Sequence, residues 1–215
     1  MLSLKAILLC LLAANSSAAF AVTESRAMRP ALRMSGGSDA IPDLKPPPAL
    51  YQGAVAAGAA KASAPFGKIF KLGIISGCHI GFGIYLAITV GGACPGIMAE
   101  NPGLQKIILG AFGLPFGLIM TLVTGGELFT GNTALVTGAY MEGKIKKEAL
   151  FKNWIASYLG NFVGSLLLAY LAFKSGTLGA APGAVNVATA KCSMPFDVAF
   201  TRGVLCNWLV CMAGK

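Results

Sequence analysis

The stretch LVTGGELFTGNTALV, residues 122–136, lies inside a long apolar run and interrupts it. Two adjacent glycines, Gly125 and Gly126, are followed by a lone carboxylate, Glu127, and then by the polar segment Thr130–Asn132. An ionisable side chain at membrane depth is costly and usually has a function. The fold of the chain therefore depends on how this interruption is accommodated.

The apolar run around the interruption has the wrong length for a simple span. Residues 107–141 contain a single charged residue, Glu127. A straight helix of this length would extend about 52 Å, whereas the hydrocarbon core is about 30 Å thick. Two complete spans would need about 40 residues and a polar turn. The run predicts one span in two helical pieces, near 105–124 and 132–142, separated by a non-helical segment at GGELFTG.

A break of this kind indicates a site. Irregular backbone at membrane depth is tolerated only where it is buried in protein or lines a cavity. The N-terminus of the second half-helix would suit an anion, with Thr130–Asn132 as its N-cap residues and Leu128 and Phe129 as an apolar constriction. A bare carboxylate would repel an anion, so we expect Glu127 to accept backbone hydrogen bonds and brace the loop. The other loop residues with a structural role are Gly125, Gly126, Gly131 and Asn132.

The composition is that of an integral membrane protein, because 55% of the 215 residues are hydrophobic and only 12% are charged. A soluble domain carries about 25% charged residues. Residues 72–99 and 153–173 are uncharged and long enough to span. The last uncharged run, 203–214, would make only about 18 Å of helix, and extending it backwards includes Arg202 and Asp197. We therefore expect an all-α membrane protein whose chain is cut inside its fourth span.

The N-terminal region is typical of targeting sequence. Residues 1–22 have a short basic region, an apolar core and small residues suited to cleavage, as in a signal peptide. Residues 23–48 are basic and rich in Ser, Thr and Pro. Together with the motif SSAAFAV they resemble the bipartite plastid-targeting presequences of algae; a secretory signal followed by a linker is the alternative. Residues 49–215 would be the transmembrane domain, opened by a short interfacial helix within 51–70.

The net charge of +9 arises partly in this leader and partly from membrane topology. Positive residues favour the cytosolic side of a membrane, and the lysines concentrate before the first span and between the second and third. Those lysines are Lys61, Lys68, Lys71, Lys144, Lys146, Lys147 and Lys152. The N-terminus and the loop 142–152 are therefore predicted to share one side. Basic and aromatic residues are not interleaved on a polar face, which argues against a nucleic-acid partner.

Three segments carry a resemblance to a known family. LVTGGELFTGN (122–132) and RGVLCNWLVCMAG (202–214) resemble the two signatures of the formate/nitrite transporter family, and NWIASYLGNFVGSLL (153–167) resembles its third helix. The resemblance covers roughly residues 66–214, about the first two thirds of a family member. It implies an aquaporin-like fold of two inverted three-helix repeats, with helices two and five broken. It also implies homopentamers in which each protomer carries a pore for small monovalent anions such as formate and nitrite.

By position, the resemblance implies constriction side chains, a loop threonine and polar groups along the pathway. These residues are Leu114, Leu118, Leu128, Phe129, Thr130, Lys191 and Asn207. Lys191 matches a vestibule lysine that attracts anions. Asn207 matches an asparagine that hydrogen-bonds a central histidine, which lies in the fifth helix and is absent from this chain. His79 is in the first span and is not its equivalent.

The leading hypothesis is a membrane channel or proton-coupled transporter for nitrite or formate in a plastid envelope, with the lipid bilayer and H⁺ as further partners. An aquaporin-like pore for uncharged solutes is a second class. A non-transporting structural paralogue is a third, should Lys215 be the true C-terminus. No Ser/His/Asp set, paired carboxylates, nucleotide loop or metal-ligand spacing occurs in the sequence. We therefore expect neither an enzyme nor a cofactor or metal site.

Overall fold

The computed structural model describes residues 46–178 and 182–213, which form eight helices. The leader predicted for residues 1–22 and nearly all of the presequence-like segment 23–48 lie outside this part of the chain. The helices are α1 (Pro47–Ser63), α2 (Phe66–Gly91), α3 (Pro95–Glu100), α4 (Pro102–Val123), α5 (Phe129–Met141), α6 (Lys147–Ser175), α7 (Pro182–Cys192) and α8 (Phe196–Ala213).

The break in the second span is confirmed. Helix α4 ends at Val123, α5 begins at Phe129, and the intervening segment 124–128 is not helical. The first piece starts slightly earlier than predicted because the Asn101 side chain accepts a hydrogen bond from Leu104 N at 3.1 Å and caps it. Pro102 follows at the first helical position, where its missing N–H costs nothing.

The structure defines where the outer helices begin and end. A helix precedes the first span, as expected, but it does not extend through 51–70, because Pro65 separates α1 from α2 and proline disfavours helical backbone in the residue before it. The first span ends at Gly91, inside the uncharged run 72–99, and Pro95 opens the short helix α3. The last uncharged run, 203–214, belongs to a longer helix of 18 residues, α8, that includes Asp197 and Arg202.

Glycines permit close packing of the first and third spans. A Cβ at Gly160 would lie 2.5 Å from Phe70 O and 2.9 Å from Gly73 Cα, and a Cβ at Gly164 would overlap Ile74 O. Because no side chain intervenes, the backbones of α2 and α6 lie in direct contact. The GxxxG of α6 therefore serves contact within the protomer.

Helix α1 packs on α5 and does not stand alone at the surface. Gly58 of α1 lies directly against Leu135 O, so a Cβ there would clash. Tyr51 Oη also donates to Glu142 Oε1 at 2.8 Å, and this bond raises the pKa of the Tyr51 phenol above its usual value. Helix α1 and the turn after α5 therefore lie side by side. This agrees with the prediction from the lysine distribution that the N-terminus and the loop 142–152 share one side.

The protein is a multi-pass integral membrane protein. Among the described residues, α2, α4, α6 and α8 are long and apolar enough to cross a bilayer. Their outer faces carry large exposed apolar side chains, such as Val123 and Phe173, which suit contact with lipid.

Candidate functional site

The segment between α4 and α5 forms a tight turn. Gly125 has φ +70, a left-handed conformation that glycine adopts without steric cost. Gly126 N donates to Thr121 O at 2.8 Å, and a Cβ at Gly126 would sit 3.2 Å from Ser76 Cβ and from Thr121 Cγ2. Of the predicted loop glycines, Gly131 is the exception, since it lies in the first turn of α5 with open space beside it.

Glu127 is held by side chains, where we expected backbone N–H groups. Lys61 Nζ donates to Glu127 Oε1 at 3.0 Å, and Asn132 Nδ2 donates to Glu127 Oε2 at 2.6 Å. The Glu127 side chain is 7% exposed and that of Lys61 is 24% exposed. A buried carboxylate needs a charged partner and further hydrogen bonds to offset its lost hydration, and both are present.

A second asparagine extends this network to α6. Asn132 Nδ2 also donates to Asn153 Oδ1 at 2.9 Å, and Asn153 Nδ2 donates to Lys61 O at 3.3 Å. The network therefore connects α1, the loop, α5 and α6 through polar groups. From the sequence, Lys61 was assigned only to membrane topology, and its pairing with Glu127 was not predicted. The small neighbouring residues Gly58 and Ala62 are a signal that this helix packs closely against another.

The N-terminus of α5 is capped from α6, and the predicted N-cap residues Thr130–Asn132 are wrong. Helix α5 starts at Phe129, and the Leu128 that precedes it contributes no side-chain hydrogen bond. Asn161 of α6 takes this role, since its Oδ1 accepts from Phe129 N at 2.8 Å. Its Nδ2 donates to Glu127 O at 2.8 Å and to Gly73 O at 2.9 Å. One amide thus satisfies free backbone groups on the loop and on α2.

The break borders a cavity of about 50 Å³. Leu118 of α4 and Leu128 of the loop, both predicted constriction residues, are brought together there with Lys61. The remaining lining residues come from α4, the loop, α5 and α8: Thr121, Leu122, Gly126, Gly131, Asn132, Ala134, Leu135, Val210 and Cys211. The wall is mainly apolar, with a few polar groups from Lys61, Thr121 and Asn132.

The other predicted constriction residues lie elsewhere in this arrangement. Phe129 is not among the residues that line the cavity; its ring packs edge-on against Tyr158 and Trp154 of α6, with centroids 5.4 and 6.3 Å away. Leu114 lies one helical turn before Leu118 and is 49% exposed. Thr130 is exposed, and its carbonyl accepts a weak bond from Cys211 Sγ at 3.7 Å.

The predicted polar pathway residues also fall outside the cavity lining. Lys191 is exposed in the last turn of α7. Asn207 connects α8 to α5, because its Nδ2 donates to Thr133 Oγ1 at 2.9 Å. Asn207 Oδ1 is buried and has no partner among the described residues. His79 Nδ1 lies 3.5 Å from Thr124 Oγ1, at the N-terminal side of the break.

This fold and site define a class of protein: a multi-pass helical membrane protein whose second span is broken beside a small, mostly apolar cavity. Comparison with known proteins narrows the class. Residues 48–214 match the family model described as "Formate/nitrite transporter". The chain is 37% identical over 173 residues to a "Probable formate transporter" of Methanothermobacter thermautotrophicus, covering 71% of this chain and 62% of that protein.

Two further relatives agree. The chain is 35% identical over 144 residues to "Nitrite transporter NirC" of Escherichia coli, covering 65% of this chain and 50% of the relative. A solved "FNT family ion channel" is 30% identical with a TM-score of 0.67, over 77% of this chain and 66% of that one. The protein belongs to the formate/nitrite transporter family. It spans between half and two thirds of the length of these curated relatives.

Proposed function

We propose that the protein is a membrane channel or transporter for small monovalent anions, with formate or nitrite as its substrate. The observation that carries this proposal is the cavity at the helix break, which Leu118, Leu128 and Lys61 line together. The relatives named for formate and nitrite support the substrate class.

Charge compensation at the loop makes anion passage physically reasonable. An unpaired carboxylate beside the cavity would repel an anion, but the Lys61 ammonium 3.0 Å from Glu127 cancels that charge. Leu118 and Leu128 in the cavity wall would remove water from the solute as it passes. The exposed ammonium of Lys191 would raise the local concentration of anions at the protein surface.

The apolar lining of the cavity favours coupling of transport to protons. Moving a bare anion into apolar surroundings costs many kcal/mol, whereas the protonated acid crosses as a neutral molecule. We propose that transport is coupled to H⁺. The resemblance implies that a histidine held by Asn207 donates this proton. The buried Asn207 Oδ1, which has no partner among the described residues, could accept a hydrogen bond from such a histidine.

Flux measurements on the full-length protein in proteoliposomes test the proposal. We expect uptake of ¹⁴C-formate or nitrite above that of empty liposomes, and faster uptake when the outside is acidic. A pore for uncharged solutes is the second candidate function, because the cavity wall is mainly apolar and the Lys61–Glu127 pair carries no net charge. Fast water flux without anion uptake would select that second candidate and overturn the first.

The leader pattern supports a plastid envelope as the location. We propose that residues 1–48 target the chain to a plastid. Fusion of these residues to a fluorescent protein, expressed in an alga with a complex plastid, should give plastid fluorescence. Secretion of the fusion would favour the alternative of a plain signal peptide.

A further inference from the structure

Thr121 of α4 is a buried hydroxyl with no protein partner among the described residues. Its side chain is 1% exposed, and Oγ1 makes no hydrogen bond. A threonine in a helix commonly donates to the carbonyl four residues earlier. Thr124 and Thr89 do so, to Met120 O and Tyr85 O, each at 2.7 Å. Thr121 departs from this pattern.

Thr121 lies in the wall of the cavity, and most of its other groups are already in contact with the protein. Thr121 lines the cavity at the helix break together with Leu118 and Leu128. Its backbone carbonyl is already used by Gly126 N at 2.8 Å, and its methyl group is the part that would meet a Cβ at Gly126. The hydroxyl is therefore the polar group of Thr121 that has no partner among the described residues.

Each of the other polar side chains of the lining has at least one hydrogen-bond partner in the protein. Lys61 Nζ and Asn132 Nδ2 both donate to the Glu127 carboxylate, at 3.0 and 2.6 Å. Cys211 Sγ makes a weak contact with Thr130 O at 3.7 Å. A buried hydroxyl without a partner costs about 1–3 kcal/mol, so such groups usually bind water or a ligand. Among the polar side chains of the described lining, Thr121 is the one that makes no hydrogen bond.

We propose that the Thr121 hydroxyl binds the permeating anion, donating a hydrogen bond to a carboxylate or nitrite oxygen as the solute loses its water between Leu118 and Leu128. This inference rests on the proposed function and adds a residue that selects for small solutes able to accept a hydrogen bond. A cavity of about 50 Å³ has room for a solute no larger than a few heavy atoms, since a single water needs about 10–15 Å³ of such space.

Matched substitutions in the full-length protein test this role. Thr121→Val removes the hydroxyl and keeps the shape, and Thr121→Ser keeps the hydroxyl. Thr137→Val is the control, because the Thr137 hydroxyl of α5 is also buried without a partner but does not line the cavity. The measurements are formate and water flux in proteoliposomes, with protein incorporation quantified for each variant.

A hydrogen bond to a charged group contributes enough to change a rate by about tenfold or more. We expect Thr121→Val to lower formate flux by about that factor while water flux stays within about twofold of wild type. Thr121→Ser should keep most of the formate flux, and Thr137→Val should resemble wild type. If Thr121→Val transports formate as fast as the wild type does, this inference alone is overturned. Water would then be the expected partner of the hydroxyl. A wild-type protein with no formate flux would overturn the proposed function and the inference with it.

Discussion

At the scale of single residues, Glu127 matters because of what neutralises it. Its carboxylate is nearly buried and bonds two side chains, the Lys61 ammonium and the Asn132 amide. The pair joins α1 to a loop 66 residues further along the chain. Glu127 therefore stabilises the break through one distant partner, Lys61, and one local partner, Asn132, and its charge is compensated beside the cavity.

The two members of this ion pair differ in burial, and we expect them to respond differently to substitution. Breaking a buried pair from one side costs about 3–5 kcal/mol because a charge is left uncompensated. Lys61→Met leaves the carboxylate, which is 7% exposed, whereas Glu127→Gln leaves the ammonium, which is 24% exposed. Lys61→Met should therefore lower the melting temperature in detergent more than Glu127→Gln does.

The double variant Lys61→Met/Glu127→Gln is the control for this prediction. It carries no unpaired charge, so its melting temperature should lie above that of Lys61→Met. Additive losses in the double variant would show that the two side chains do not interact.

At the scale of elements, the site depends on how closely α2 and α6 approach. Asn161 reaches the loop, the N-terminus of α5 and the Gly73 carbonyl from a single position on α6. It can do so because Gly160 lies on the backbone of α2 with no side chain between. The packing of the two helices thus sets the position of the cap on the broken span.

Separating these helices should damage the site. Gly164→Ala would drive a Cβ into the Ile74 carbonyl, and forced overpacking costs about 1–3 kcal/mol or more. We expect lower thermal stability and lower formate flux. Gly110→Ala in α4 is the matched control, since a Cβ there meets nothing within 4 Å and alanine is the better helix former. Equal behaviour of the two variants in a thermal-melt assay would contradict the packing argument.

At the scale of the whole molecule, the described chain leaves large apolar faces uncovered. None of the residues of α8 between Phe196 and Ala213 is buried, and Trp208 is 69% exposed. Lipid or further protein must cover these faces, because exposed apolar patches of this extent are unstable in water.

We predict that the full-length protein forms homopentamers, as the family resemblance implies. Native mass spectrometry in mild detergent should give five times the protomer mass, with no dependence on dilution over a tenfold range. A monomeric mass under conditions that preserve activity would contradict the prediction.

Much of this could be read from the sequence because membranes impose simple lengths. The apolar run 107–141 is too long for one straight span and too short for two, so a break was required. GGELFTG located it, and the break lies at residues 124–128. The signature residues also identified the family, since side-chain type at fixed spacing is visible without coordinates. Leu118 and Leu128 lie ten residues apart, and both were predicted to line the pathway. In the structure both line the same cavity.

The partners across the fold could be learned only from the tertiary structure. Lys61 lies 66 residues from Glu127, and Asn161 lies 32 residues from Phe129. Prediction from neighbouring residues therefore assigned the N-cap of α5 to Thr130–Asn132 and the hydrogen-bond partners of Glu127 to the nearby backbone. The sequence by itself determined that the second span must break and where, because bilayer thickness limits helix length. Only the packing of α1 and α6 against the break decided what holds it open, because hydrogen bonds between distant segments leave no periodic pattern in the sequence.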